Sequence, residues 1–381
     1  MQLTDQQQLI QKLARQFAEK ELTNDVLDET EATAVFPKEI QDKMAAVGFF
    51  GIKTPRQWGG AGADCVSYSL VMQEIAYRSA VASLYVSSPN SLSGGPLLTH
   101  GTKEQKEKYL RPVVEGKKIL AFGLTEPGAG SDAGGMSTTA VDEGDYFVLN
   151  GRKTFITMAP LADWTIIFAK HDTGDKRHNI TAFIVDMKAE GVSCGKPENK
   201  MGIIGCATSD IILENVKVPK DDVLGKPGHG LAIALGTLDV GRIGVASQAL
   251  GVARRALDEA VAYAKERKEF GKPIAAFQGI SFTIAEMATK LHAAELLVWD
   301  TCTLIDKKER CSDKAAMSKY LATEYCNWIV DRAVQIFGGY GYMKDYIVER
   351  LYRDARVFSL YEGTTEVQKI VISNSLLRSR K

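Results

Sequence analysis

The 381-residue sequence contains no CxxC pair, and no two His or Cys residues stand at a zinc-site interval. Neither a dithiol redox motif nor a structural zinc site is therefore expected, and Cys65, Cys194, Cys206, Cys302, Cys311 and Cys326 read as free thiols. Net charge is missing as well, since 47 Lys and Arg balance 47 Asp and Glu. That balance removes any global attraction to nucleic acid or an anionic membrane, so a phosphate ligand has to be gripped locally. The opening MQLTDQQQLIQKLARQ has no apolar core of the signal-peptide kind, and no later run is expected to reach membrane-spanning length; the expectation is a cytoplasmic protein. The five histidines are scattered, and no nucleophilic Ser or Cys has an elbow or a paired base, which disfavours hydrolase chemistry. There is no internal repeat and no low-complexity tract.

What is present divides into three stretches of different period, too long together for one core. Residues 1–118 carry apolar residues at helical spacing (Leu9, Leu13 and Phe17; Ile40, Met44 and Val47), broken at residues 51–64 by Gly and Pro. Residues 119–224 hold about six β-rich runs, ILAFGLT, DYFVL, KTFIT, WTIIFAK, ITAFIVD and TSDIILENVKV. Asn150-Gly151 between two of them predicts a type I′ hairpin turn. With no long helix between strands, an antiparallel barrel or sandwich is expected rather than a doubly wound sheet. Residues 225–381 are helical again. Small residues from Ala249 to Ala264 predict one helix, a stripe from Ile280 to Leu297 a second, a segment capped by Ser312 and Asp313 a third, and residues 364–377 a fourth. The fold class is thus multidomain α+β: an N-terminal helical domain, a central antiparallel β-barrel and a C-terminal four-helix bundle.

Two segments carry candidate chemistry. LTEPGAGSDAG, residues 124–134, is a Gly-rich loop directly after a strand; Gly128, Gly130 and Gly134 remove bulk while Thr125 and Ser131 supply hydroxyls and N–H groups for a pyrophosphate or a flavin ring. It lacks GxGxxG spacing, and taken alone it is equally a tight structural loop. GHGLAI at 228–233 begins GxG without a βαβ unit and reads as a helix entry. In LYEGTTEVQ, residues 360–368, Glu362 lies in an apolar turn whose environment can raise its proton affinity toward general-base work. Glu362 and Glu366 would also serve simply as complements to a helix N-terminus. Arg242 sits on a small, apolar helix face, which points to an anionic partner, whereas Arg267 reads singly as a solvated charge.

Together LTEPGAGSD, NGRKTFIT, LDVGRIGVASQALG, ERKEFGKPIAAFQ, QIFGGYGY and LYEGTTEVQ resemble, in wording and order, the acyl-CoA dehydrogenase family. The likeness spans essentially the whole chain and implies the same three-part fold. It further implies an FAD enzyme of CoA thioesters in which Glu362 removes the pro-R α-proton, flavin N5 accepts hydride from the β-carbon, and a trans-2-enoyl thioester results. The Glu362 backbone N–H and a flavin ribityl hydroxyl would polarise the thioester carbonyl. By the same resemblance Phe122, Leu124, Thr125, Gly130, Ser131, Phe155, Ile156 and Thr157 face the flavin, Ser131, Asp239, Arg242, Glu362 and Gly363 meet the substrate, and no metal takes part. Arg267, Phe270, Gln278, Gln335, Ile336, Gly338 and Gly339 would hold the FAD of a neighbouring subunit, completed by Thr364, Thr365 and Glu366. A homotetramer and electron-transferring flavoprotein as redox partner follow from the same likeness.

The intact YEG matches the short- and medium-chain branch. SSPNSLSGG, residues 87–95, is more similar to anaerobic members that handle aryl-propionyl or aryl-acryloyl thioesters, with a short aliphatic chain as the alternative. Phe122 and Phe155 stand where the family often has Tyr and Trp, a departure that bears on flavin stacking. An oxygen-using oxidase shares every one of these motifs, whereas a non-catalytic helical scaffold of the same fold is disfavoured by the intact Glu362 and both Gly-rich loops.

Overall fold

A computed structural model of the chain describes residues 2–175 and 177–377. The N-terminal part consists of α1 (Asp5–Glu21), α2 (Asn24–Thr33), α3 (Lys38–Ala46), α4 (Cys65–Arg78), α5 (Ala80–Asn90) and α6 (Gly94–His100). A continuous helical run follows, made of α7 (Lys103–Gln105), a π stretch (Lys106–Leu110) and α8 (Arg111–Val114). Local chemistry sets the starts: Thr4 and Gln7 form a reciprocal capping box on α1, and Ser67 N donates to Asp64 Oδ1 at 2.7 Å to open α4. Helix α4 is buried along most of its length between α1 and the long C-terminal helix described below.

The α5–α6 junction contains the serine-rich stretch singled out above. Pro89 removes a backbone donor inside α5, and the next residue ties the end of that helix to the preceding loop, Asn90 Nδ2 donating to Val86 O and Phe49 O, each at 2.8 Å. Ser91 Oγ donates back to Ser87 O at 2.8 Å, and Ser93 Oγ to Ser88 O at 2.9 Å, so these hydroxyls are spent on tying the corner.

The central part is one eight-stranded sheet formed by β1 (Leu120–Gly123), β2 (Thr139–Asp142), β3 (Tyr146–Thr157), β4 (Trp164–His171), β5 (Ile180–Asp186), β6 (Val192–Cys194), β7 (Thr208–Pro219) and β8 (Val223–Leu224). Its order is β6-β7-β3-β2-β4-β5-β8, with β1 also on β4. Two expectations need correcting. The sheet is mixed rather than wholly antiparallel, because β1 and β2 both run parallel to β4. Asn150-Gly151 is not a hairpin turn; it lies inside β3, where the register against β7 shifts between Leu149 and Gly151. A Cβ at Gly151 would overlap Thr138, so the glycine answers a close backbone approach at a bulge.

The C-terminal part begins with α9 (Gly230–Glu266), which the small residues of LDVGRIGVASQALG let pack closely against α4. A short hairpin, β9 (Lys268–Glu269) and β10 (Lys272–Pro273), leads to α10 (Gln278–Asp306) and α11 (Ser312–Phe337). After α12 (Ile347–Ala355), the chain closes with α13 (Thr365–Leu377). Helices α9, α10 and α11 pack on one another and α13 lies on α11. Ser312 does not cap α11 as expected: its hydroxyl donates instead to Asp239 Oδ2 at 2.5 Å. Contrary to expectation, α9 is by length and composition sufficient to cross a membrane, yet 61% of its most apolar window is buried in the fold, as in a core helix. Along α10 the stripe is only partly covered: Met287, Ala294 and Val298 are buried, while Ile280, Ile284, Leu291 and Leu297 stay half-exposed.

Candidate active site

Glu362 occupies the turn between α12 and α13 in a left-handed conformation (φ 52°), followed by Gly363 at φ 90°. A non-glycine residue is held there only when its surroundings insist on it. The carbonyl oxygens provide that insistence: Lys319 Nζ, from α11, donates to Gly363 O at 2.6 Å, and Gln368 Nε2 donates to Gly363 O at 2.8 Å and to Glu362 O at 3.4 Å. The turn aims the carboxylate at α9. A Cβ at Gly241 would overlap Glu362 Oε2 and come within 3.1 Å of Leu92 Cδ2. Glu362 is half-buried as a residue, but its Oε2 is shielded from solvent and has no hydrogen-bond partner among the described residues. Burial pushes its carboxyl up to about 7, against the opposing pull of the Lys319 and Arg242 charges.

Arg242 is buried, ion-paired to Asp239 one helical turn earlier, and its Nε lacks a partner. Beside Glu362, the Tyr361 hydroxyl donates to Gln248 Oε1, and Gln248 Nε2 donates to Ala80 O and Ser83 Oγ, each at 2.9 Å. The Glu362 turn is thereby tied to α9 and, through it, to α5. The sequence singled out Glu362, Gly363, Asp239 and Arg242, and the structure gathers them. It passed over Gly241 and Lys319, whose importance appears only when α9 and α11 are laid against the turn.

The Gly-rich loop is anchored from beneath. Glu126 and Lys153 are both buried, at 2% and 0% exposure, and pair at 2.7 Å. Burial alone would raise the Glu126 carboxyl, but hydrogen bonds from Lys153, Ser137 and Thr138 together outweigh it and draw it down to about 2. Neither residue was singled out from sequence; the inward phase of Lys153 on β3 is the only signal, and alternation does not name its partner. Thr154 N donates to Thr125 O at 2.9 Å, which joins this loop to the end of β3. There a second register shift between Lys153 and Ile156 turns Phe155 outward at φ 56° and 67% exposure. Phe122 packs edge-on against Phe168 at 5.0 Å. Leu124 and Ile156 are buried in the core and can offer a ligand only their backbone, whereas Ser131 is exposed. A Cβ on Gly128 or Gly130 would meet nothing within 4 Å, so these glycines border space that this chain does not fill.

A third group lies at the far end of α9. Arg267, Ile336, Gly338 and Gly339 line a cleft of about 560 Å³ together with Tyr263, Ile274, Tyr340 and Met343. The Arg267 guanidinium pairs with Glu269 at 2.5 Å and lies over the Tyr340 ring at 5.4 Å. Phe270, at the tip of the β9–β10 hairpin, is 92% exposed at φ 51°. Gln278 and Gln335 are exposed beside this end of the molecule and outside the cleft lining. Thr365 Oγ1 donates to Glu324 Oε1 at 2.6 Å, Thr364 Oγ1 accepts from Val367 N at 3.3 Å, and Glu366 is exposed in the first turn of α13.

The chain matches the acyl-CoA dehydrogenase family throughout: its N-terminal domain over residues 4–117, its middle domain over 121–216 and its C-terminal domain over 228–377. This protein belongs to the acyl-CoA dehydrogenase family. It is 63% identical to a subunit of the caffeyl-CoA reductase-Etf complex of Acetobacterium woodii, over 99% of this chain and 100% of that one. It is 60% identical to the 3-(aryl)acrylate reductase of Clostridium sporogenes, with the same coverage. The solved butyryl-CoA dehydrogenase of Megasphaera elsdenii superposes with a TM-score of 0.96 at 43% identity, over 99% of this chain and 100% of that one. As a member of the family, the chain is an FAD-dependent oxidoreductase acting on CH–CH bonds of acyl-CoA thioesters. Its residues fit that cofactor: the open ground at Gly128 and Gly130, the outward Phe155, and the Arg267 cleft each present a surface this chain leaves uncovered.

Proposed function

We propose that Glu362 is the acid–base residue of an acyl-CoA/2-enoyl-CoA interconversion, and the observation that carries this is its solvent-shielded, unpartnered Oε2 beside two buried cations. A carboxyl raised to about 7 is poised to take a proton from a weak carbon acid and to give it back, which general acid–base catalysis requires. Bound FAD supplies the acceptor for the hydride that leaves the β-carbon, or its donor in the reverse direction. In dehydrogenation Glu362 takes the α-proton and a C=C bond forms; in reduction it returns that proton to the α-carbon. The Glu362 backbone N–H donates to the thioester carbonyl and stabilises enolate-like charge. Phe122, Leu124, Thr125, Gly130, Ser131 and residues 155–157 hold the cofactor, the last two by backbone or hydroxyl. Arg267, Phe270, Gln278, Gln335, Ile336, Gly338, Gly339 and residues 364–366 complete the binding site of a neighbouring subunit. Asp239, Arg242, Gly363 and Ser131 meet the substrate.

The proposed substrates are aryl-acryloyl and aryl-propionyl thioesters, supported by the names of the two relatives above and by the 87–95 stretch. The butyryl-CoA dehydrogenase likeness keeps a short aliphatic acyl group as the second reading. Electron-transferring flavoprotein is the proposed redox partner, following the complex in which the Acetobacterium woodii relative is a subunit. The half-exposed face of α10 and the exposed Phe270, Phe282 and Tyr342 support a homotetramer, which we place in the cytoplasm, built from units at residues 1–118, 119–224 and 225–381.

Anaerobic bleaching of the flavin by phenylpropionyl-, butyryl- and octanoyl-CoA tests this reading, with phenylpropionyl-CoA expected to give the highest kcat/KM. Glu362→Gln is expected to keep FAD and lose bleaching by roughly a thousandfold or more. Turnover that persists in that variant would remove Glu362 from the chemistry.

A further inference from the structure

Lys319 is a buried charge near the site that the proposed chemistry does not use. Its side chain is fully buried, and among the described residues no carboxylate lies within ion-pair distance of its Nζ. A buried ammonium without a direct counter-ion is expensive to keep, and a fold that retains one obtains something for it. Among the described residues its Nζ makes one hydrogen bond, at 2.6 Å, to Gly363 O, the carbonyl that follows the proposed base. We propose that Lys319 is a positioning residue of the active site: through Gly363 O it pins residues 362–363 in their left-handed conformation and holds a buried positive charge beside the proposed base. The proposal rests on the reading of Glu362 given above.

Two features separate the clamp from the charge. The clamp is shared, because Gln368 Nε2 donates to the same carbonyl at 2.8 Å. The charge is not shared by Gln368, which is neutral. The groups facing Glu362 are Lys319 from α11, Arg242 from α9 and, from α4, the Tyr68 hydroxyl, itself bonded to Ser87 at 3.2 Å. Tyr361 adjoins on the same turn. Arg242 is already engaged by Asp239, which discounts its pull. Lys319 in turn feels Glu362, Arg242, Glu324 and Glu366, and its carboxylate neighbours only partly offset the burial that brings its ammonium down to about 8. Lys319 is thus the cation near the base whose charge no ion pair has already spent.

The sign follows directly. A positive charge nearby favours the ionised carboxylate, so removing it raises the carboxyl further above its ordinary range. In Lys319→Met the acid limb of the pH profile for kcat/KM of flavin reduction should move to higher pH by half a unit or more. In Gln368→Leu, which loses part of the clamp and no charge, the limiting rate should fall severalfold with the limb unmoved. A role confined to holding the fold would lower the melting temperature of Lys319→Met and leave the limb in place.

The second readout needs no turnover. Melting temperature is followed from pH 5 to 9 in wild type, Glu362→Gln, Lys319→Met and the double variant, all as FAD-loaded protein. A carboxyl raised on folding gives stability at low pH that is lost as pH rises through its folded value, so the wild-type minus Glu362→Gln difference falls with pH. The same difference taken in the Lys319→Met background should complete its fall at higher pH. Superimposable profiles in both experiments overturn the proposal while leaving Glu362 as the base; bleaching by Glu362→Gln overturns the reading beneath it instead.

Discussion

At the scale of single residues, one carboxylate depends on the glycine that admits it. Gly241 sits in a helix, where alanine is intrinsically better by about 1 kcal/mol, yet a Cβ there would overlap Glu362 Oε2. Gly241→Ala is therefore expected to keep the melting temperature within a few degrees while kcat/KM falls roughly a hundredfold, the effect of displacing a reacting group by about 1 Å. Steady-state kinetics beside a melting curve would check the pair; an unaltered kcat/KM would mean that the carboxylate does not need that space. Because the Glu362 carboxyl is raised to about 7, the proposed base is largely protonated below that pH, and kcat/KM for dehydrogenation should decline tenfold per unit on the acid side. Glu362 was legible in the sequence as an acid in an apolar turn. Its counter-charges were not, since Arg242 lies 120 positions away and Lys319 on yet another helix, and neither hydrophobic period nor turn chemistry reports which helices meet.

At the scale of elements, the 124–138 segment shows how a Gly-rich loop can be floppy in composition and fixed in fact. Glu126 and Lys153 form a buried pair with Ser137 and Thr138 completing the carboxylate's bonds. Removing one partner strands the other, which typically costs 3–5 kcal/mol or about that, whereas replacing both with apolar or neutral groups costs much less. Lys153→Met should thus lower the melting temperature sharply, and adding Glu126→Gln should restore much of the loss, a coupling that thermal melts of the four variants would measure. Equal losses in single and double variants would contradict the pairing. The element-level reading of the sequence succeeded where period was strong, as in α9, α10, α11 and α13, and failed at Asn150-Gly151. That dipeptide carries a hairpin's turn chemistry, but the strand runs on through a bulge because both flanks pair with β7 and the glycine is needed against Thr138. The parallel pairings of β1 and β2 with β4 were likewise invisible, since strand direction is a property of connections rather than of composition.

At the scale of the whole molecule, the open faces carry the meaning. The Arg267 cleft and the 92%-exposed Phe270 are costly features for a lone chain and are the surfaces on which the proposed oligomer and its shared cofactor site rest. Phe270→Ala and Arg267→Ala should each yield protein with reduced FAD content, and the loss should be reversed by added FAD; flavin absorbance against protein, with sizing chromatography, reads both. Proton exchange tests, without any electron acceptor, whether Glu362 moves the proton. In deuterium oxide the FAD-loaded enzyme should wash deuterium into the α-carbon of a bound acyl-CoA, and Glu362→Gln should show no exchange above the solution background. Undiminished α-deuteration by Glu362→Gln would contradict the account.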